Sequence, residues 1–182
     1  MTVTPKHDPD PLDIDRRIRD LPVRAQMADG TLVLEVDVAG TEDELWQSLT
    51  DPERLAQWSP VVPDRPLTSV GPALSREQPD QDPVACDVIA IAGTHALTHA
   101  WGDERLNWLI EPARLVLQMQ LSSPDHAPLF VAGWQVCLAV LDAQLSGIPQ
   151  DRLVGMDAMQ HGWEDLRRRY VEELGCPDLP LS

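Results

Sequence analysis

APLFVAGWQVCLAVLDAQL, residues Ala127–Leu145, carries Phe130, Trp134, Cys137, Leu138, Leu141 and Leu145 at helical spacing. Those side chains fall on one side of an α-helix. Val131 and Val140 widen that side, Gln135, Ala139, Asp142 and Ala143 form a solvated opposite side, and Gln144 stands apart near the apolar edge. A face this wide has to be covered, and a sheet is the partner the remaining sequence offers. Gly147 and Pro149 end the helix.

Upstream, residues 23–38 read as a hairpin. Asp29-Gly30 is a two-residue turn, and TLVLEVDV then alternates, with Leu32, Leu34, Val36 and Val38 inside and Glu35 and Asp37 in water. At Thr41 the period changes. Thr41 and Glu44 form a capping box ahead of Leu45, Trp46 and Leu49, and Asp51-Pro52 starts a second short helix through Leu55 and Trp58. Residues 59–83 hold six prolines (Pro60, Pro63, Pro66, Pro72, Pro79, Pro83) and few apolar residues, which reads as a disordered or poorly ordered flap with a short edge strand near 67–70. A run at 84–91, HALTHAW at 95–101, Leu106 to Ile110, and Arg114 to Leu121 are strand segments separated by Gly93, Gly102-Asp103 and Pro112. A final helix is expected over 157–174, with Arg167, Arg168 and Arg169 on a solvated face or paired with local acids.

The order is strand pair, two short helices, a meander of strands, one long helix. An antiparallel sheet curling around that helix makes an α+β helix-grip fold, and the gap between sheet and helix is the candidate ligand cavity. The single domain is placed at residues 23–175. Before it lies an acidic, disordered or weakly helical tail, residues 1–22, in which Ile14, Ile18 and Leu21 have helical spacing; residues 176–182 form a C-terminal tail.

The chain resembles the SRPBCC superfamily of START-like and Bet v-type proteins. Within it the resemblance is to the branch of homologues of the activator of heat-shock protein 90 ATPase. It is carried by Leu45-Trp46, Leu49 to Leu55 with Trp58, Leu97 and Trp101 in ALTHAWGD, Trp108 to Pro112, Gly133-Trp134 with Leu138, Leu141 and Leu145, and Trp163 to Gly175. The acidic tail and the Pro-rich segment depart from that pattern. What the resemblance implies is a ligand-binding scaffold with no assigned reaction, and it places Gly133 against the sheet.

Thirty acidic residues against fourteen basic ones give a formal charge of −16, which argues against nucleic acid and anionic membrane as partners. No run approaches the ~18 apolar residues of a membrane span, and the charged start is followed by no apolar segment. Cys86, Cys137 and Cys176 are dispersed and fit no metal or redox spacing, so a cytoplasmic protein is expected.

The strand face of Leu97, His99 and Trp101, with Trp58, Trp108 and Met119, should meet Trp134, Leu138 and Leu141 of the long helix around the cavity. His99 is the polar group that would orient a ligand. His95 and His99 sit four apart on a strand, about 13 Å from each other, which is not zinc spacing. Trp46 and Trp163 read as packing residues. No catalytic set, metal ligand or cofactor motif is present, and no cofactor is expected. The reading is therefore a binding module whose partner is a small hydrophobic molecule. The alternative is a non-catalytic protein that docks a regulator or chaperone through its acidic surface, with a cyclase or hydrolase third for want of an acid/base pair. The oligomeric state, including a homodimer, stays open.

Overall fold

The computed structural model describes residues 11–180. The hairpin forms where the pattern places it, as β1 (Val23–Ala28) and β2 (Thr31–Asp37). Asp29 and Gly30 both take positive φ, 50° and 78°, the twist that lets two residues turn a tight hairpin. The capping box is present in both directions: Thr41 Oγ1 accepts from Glu44 N–H at 3.2 Å, and Glu44 Oε2 accepts from Thr41 N–H at 2.7 Å. It starts α2 (Glu42–Thr50), and Asp51 then caps α3 (Pro52–Leu55).

Six strands make one antiparallel sheet in the order β1-β2-β8-β7-β6-β5, with β5 (Val88–Ala92), β6 (Ala96–Trp101), β7 (Glu104–Glu111) and β8 (Arg114–Gln120). Pairing β2 with β8 sets Leu32, Leu34 and Val36 beside Met119, Leu117 and Leu115, so the inner face is continuous and dry. Over it lies α4 (Ala127–Leu145), giving the α+β helix-grip architecture.

α4 departs from the amphipathic reading. Gln135, Ala139 and Ala143, expected in water, are buried, because α1 (Pro11–Asp20) and α6 (Trp163–Leu174) cover the outer side. A helix packed on every side needs little periodicity. Asp142 is likewise not on a solvated face: it pairs with Arg17 at 2.5 Å and accepts from Ala39 N–H at 2.9 Å. Ile14, Ile18 and Leu21 are buried, so the helical part of the acidic N-terminal segment packs on the domain; residues 1–10 lie outside the described residues. Contrary to the sequence expectation, Pro124–Leu145 is long and apolar enough by length and composition to cross a membrane, with 67% of its most apolar window buried within the fold.

The fully buried Gln135 ties the three helices together. Its Nε2 donates to Ile18 O at 2.6 Å, while its Oε1 accepts from the Tyr170 hydroxyl and, at 3.2 Å, from Arg169 Nη2. Gln135→Leu keeps the volume and strands those partners. A loss of about 1–3 kcal/mol in denaturant unfolding is expected. An unchanged midpoint would show that water replaces the amide.

Two expected elements break. The run at 84–91 becomes β4 (Val84–Ala85) and β5, because Asp87 turns aside to accept from Ala73 N–H at 3.0 Å. The final helix splits into α5 (Met156–Met159) and α6 at Gly162, whose φ of 81° is left-handed. Residues 59–83 are an ordered loop instead of a loose flap. Arg65 donates to the carbonyls of Pro66, Ser69, Gly71 and Pro72, which closes the loop on itself, and Val61, Leu67 and Ala73 are buried. The strand falls at β3 (Leu74–Ser75), paired with β4, and not at 67–70.

In α6, Arg167 is buried between Glu164, 2.7 Å away, and Asp178, 2.6 Å away, which ties the C-terminal segment back onto the helix. These carboxylates hold its pKa above the usual arginine value.

Candidate functional site

Between sheet and helix, tryptophans occupy the space that the sequence reserves for a cavity. Trp134 is the hub: its ring centroid lies 5.2 Å from Trp108, 5.6 Å from Trp101 and 6.3 Å from Trp58. The Trp108 and Trp101 contacts are edge-to-face, the arrangement that aromatic quadrupoles favour. Trp58 Nε1 donates to Ser48 O at 3.0 Å, which pins α3 against α2.

His99 is part of this packing. Nδ1 lies 2.9 Å from Ala100 O, so that nitrogen carries the proton, and Nε2 accepts from Trp108 Nε1–H at 3.2 Å. Both ring nitrogens are engaged, and none remains to orient a ligand. Burial lowers the His99 pKa to about 4, although the Ala100 carbonyl pulls the other way. A second proton on Nε2 would face the Trp108 donor head-on.

Trp58, Leu97, His99, Trp108, Met119, Leu138 and Leu141 are all buried, and none of them lines any of five surface hollows on the domain. Of the nine candidate ligand-binding residues, Trp101 and Trp134 reach a hollow. The strand alternation is right about which side faces the helix, and large rings then fill that side. Leu138→Trp would overpack this closed interior.

Cys86 and Cys137 are buried and unpaired, and burial pushes both thiols up to about 12, so neither is a nucleophile near neutral pH. Cys176 is also free, and burial raises its pKa as well. His95 is exposed, 3.6 Å from Glu42. Among the described residues no group of three or more His, Cys, Asp or Glu side chains could hold a metal ion.

The hollow that suits a ligand lies outside the sheet–helix gap. An open groove of about 480 Å³ runs between the first half of α4, the segment after Gln150, and the start of α6. Trp101, Phe130, Trp134 and Trp163 form its aromatic walls, Met156 and Met159 line it from α5, and Glu77 supplies the one charged side chain. Such a volume falls within the roughly 300–1,000 Å³ of small-molecule sites. Met156 is 72% exposed and Met159 44%, which is unusual for apolar residues beside an aromatic cluster. The indole nitrogen of Trp134 is buried with no hydrogen-bond partner among the described residues. Gly133 faces this groove and not the sheet: a Cβ there would meet Trp163 Nε1 at 3.8 Å, an ordinary contact.

Phe130, Trp163, Met156, Met159 and Glu77 thus belong to a site that periodicity did not reveal. Trp163 reads as packing because it shares helical spacing with Met159, Leu166 and Tyr170, and Glu77 lies in a Pro-rich segment with no pattern. The one signal was the pair of methionines flanking Asp157-Ala158. The remaining hollows are less suited. The one beside α1 is lined by Arg17 and Asp142, which neutralise each other.

No protein-family model matches the chain, and no curated protein matches it. Solved structures do. A conserved protein of unknown function, EF2215 from Enterococcus faecalis, superposes with a TM-score of 0.60 at 15% identity over 89% of this chain and 94% of that one. The protein encoded by BPP1335 of Bordetella parapertussis gives 0.60 at 17%, covering 86% and 92%. CalU16 from Micromonospora echinospora gives 0.55 at 15%, covering 84% and 96%. At these identities the likeness establishes the fold, and the helix-grip architecture is common to this chain and its neighbours.

Proposed function

We propose that this domain binds a small apolar or aromatic molecule in the groove walled by Trp101, Phe130, Trp134 and Trp163, and that it does so without catalysing a reaction. The observation that carries this reading is the groove itself: an open, aromatic concavity of ligand size continuous with the core through Trp134. Burial of the ligand supplies affinity at ~25 cal/mol per Å² of apolar surface, and the rigid rings behind it cost little ordering. The finer placement in the branch of homologues of the activator of heat-shock protein 90 ATPase rests on the motifs around Trp46, Trp58, Trp108 and Trp134. The cytoplasmic setting rests on three dispersed, unpaired cysteines.

N-Phenyl-1-naphthylamine is the test probe, read by its own emission and by quenching of tryptophan. It should bind the folded protein saturably and perturb the indole signals of Trp101, Trp134 and Trp163 above those of Trp46. Gly133→Leu, which pushes a side chain into the groove, should weaken the probe by on the order of tenfold or more. Undiminished binding to Gly133→Leu would place the site elsewhere. Gly133→Ala serves as the folding control: it removes a glycine from mid-helix and should stabilise the protein by about 0.5–1 kcal/mol.

A second reading draws on the closed interior. A packed core is what a protein that docks a partner through its surface would have, and the charge of −16 would favour a basic one. Failure of the probe to bind at all would bring that reading forward.

A further inference from the structure

A second hollow, about 310 Å³, adjoins the aromatic groove and shares Glu77, Trp101 and Phe130 with it. Its other walls include Asp82, Asp103 and Glu104, and among the described residues no arginine, lysine or histidine lines either hollow. Trp101 and Phe130 stand at the junction with ring centroids 6.1 Å apart and planes at 72°, which makes an aromatic corner. The two hollows differ sharply in chemistry: one is a slot for an apolar body, the other a carboxylate-lined recess. Between them stands this edge-to-face pair.

Resting on the groove reading above, we propose that the ligand is a cationic amphiphile. Its apolar body lies against Trp134, Trp163 and Met159, and its amine or quaternary ammonium group sits at the corner of Trp101 and Phe130, facing Glu77. Three features of this place favour positive charge together. Indole and phenyl faces attract a cation held within about 6 Å of their centroids. The recess contributes carboxylates with no opposing cation among its described lining residues. The whole chain is strongly acidic, so its field draws cations toward any such mouth.

Not every carboxylate there is equally available. Glu104 accepts from Ser122 N–H and Oγ–H, both at 2.7 Å, and so holds the turn after β8. Arg152 stands on the other side of Glu77, lining a separate hollow and donating to Ser59 O at 2.8 Å; it forms no ion pair among the described residues. Glu77 therefore has the Arg152 guanidinium behind it, and Arg76 lines the same separate hollow. Asp82 and Asp103 are exposed and make no ion pair among the described residues. The recess keeps its negative character through these two even where Arg152 offsets Glu77.

The test uses three probes with one apolar body: 2-naphthylmethanol, (2-naphthylmethyl)trimethylammonium and 2-naphthoate. Binding to the full chain is read by calorimetry and by the indole NMR signals. At low ionic strength the ammonium should bind on the order of tenfold tighter than the alcohol, and the carboxylate should bind weakest. Added salt, about 0.5 M, should shrink that preference and leave the alcohol unchanged. In Glu77→Gln/Asp82→Asn/Asp103→Asn the ammonium should fall to within roughly threefold of the alcohol. Glu104 is left in place because it supports the fold.

Equal binding of ammonium and alcohol by the native chain would overturn the cationic assignment and leave the groove standing. Tightest binding of 2-naphthoate would overturn it too and would point to Arg152 as the anchor. If none of the three probes binds, the groove reading fails and this inference falls with it.

Discussion

Trp134→Ala should lower the unfolding free energy by about 3–5 kcal/mol, the range for deleting a large buried aromatic. Trp134 is 2% exposed and lies against Trp58, Trp101 and Trp108, so its removal opens a hole where core and groove meet. The surrounding rings are flat and stiff, and they cannot close such a hole as flexible methionines would. Because its indole nitrogen has no hydrogen-bond partner among the described residues, Trp134→Phe should cost much less than the alanine. Denaturant titrations followed by circular dichroism measure both variants. A loss under about 1 kcal/mol for the alanine would mean that the interior is not close-packed around this residue.

The second large effect is a loss of stability in mild acid. In the unfolded chain histidine titrates near 6.5, while folded His99 titrates at about 4. Between those values the unfolded state holds a proton that the native state refuses, so acid favours unfolding. The contribution of His99 is complete above pH 6.5, declines as pH falls, and is fully lost below about pH 4, for a total of order 3 kcal/mol. Carboxylates also titrate at the lower end, so the informative quantity is the difference between the native chain and His99→Gln. That variant has no imidazole and should show a flatter profile from pH 7 to 5, whatever its absolute stability. A ring of His99 that titrates near 6.5 in the folded protein, followed by NMR, would contradict the buried, doubly hydrogen-bonded neutral form.

Much of the architecture is legible in the chain because it is written in local physics. Alternation at Leu32, Leu34 and Val36, the Asp29-Gly30 turn, the Thr41/Glu44 capping box and the Asp51-Pro52 start each depend on residues within a few positions of one another. Every one of them appears in the fold. The break at Gly162 is different: the spacing of Met159, Trp163, Leu166 and Tyr170 reads as one helix over 157–174, and the left-handed Gly162 divides it.

Tertiary structure decided the rest. Whether Gln135 and Asp142 meet water depends on α1 and α6, which come from opposite ends of the chain and cover the same side of α4. Order in residues 59–83 comes from Arg65 closing four backbone carbonyls, from Asp64 and Asp87 accepting from Leu74 and Ala73 N–H, and from burial of Val61, Leu67 and Ala73, and no composition rule foresees that.

The site follows the same division. From sequence, the strand and helix faces that look at each other are assigned correctly, but opposing faces say nothing about the volume left between them. That volume is the small difference between the spacing of sheet and helix and the sum of the side chains inserted there. Trp58, Trp101 and Trp108, meeting at Trp134, take it up. The concavity that remains opens outward, where Glu77, Trp101, Phe130, Met156 and Trp163 converge from five separate segments, and only the packed chain brings them within reach of one ligand.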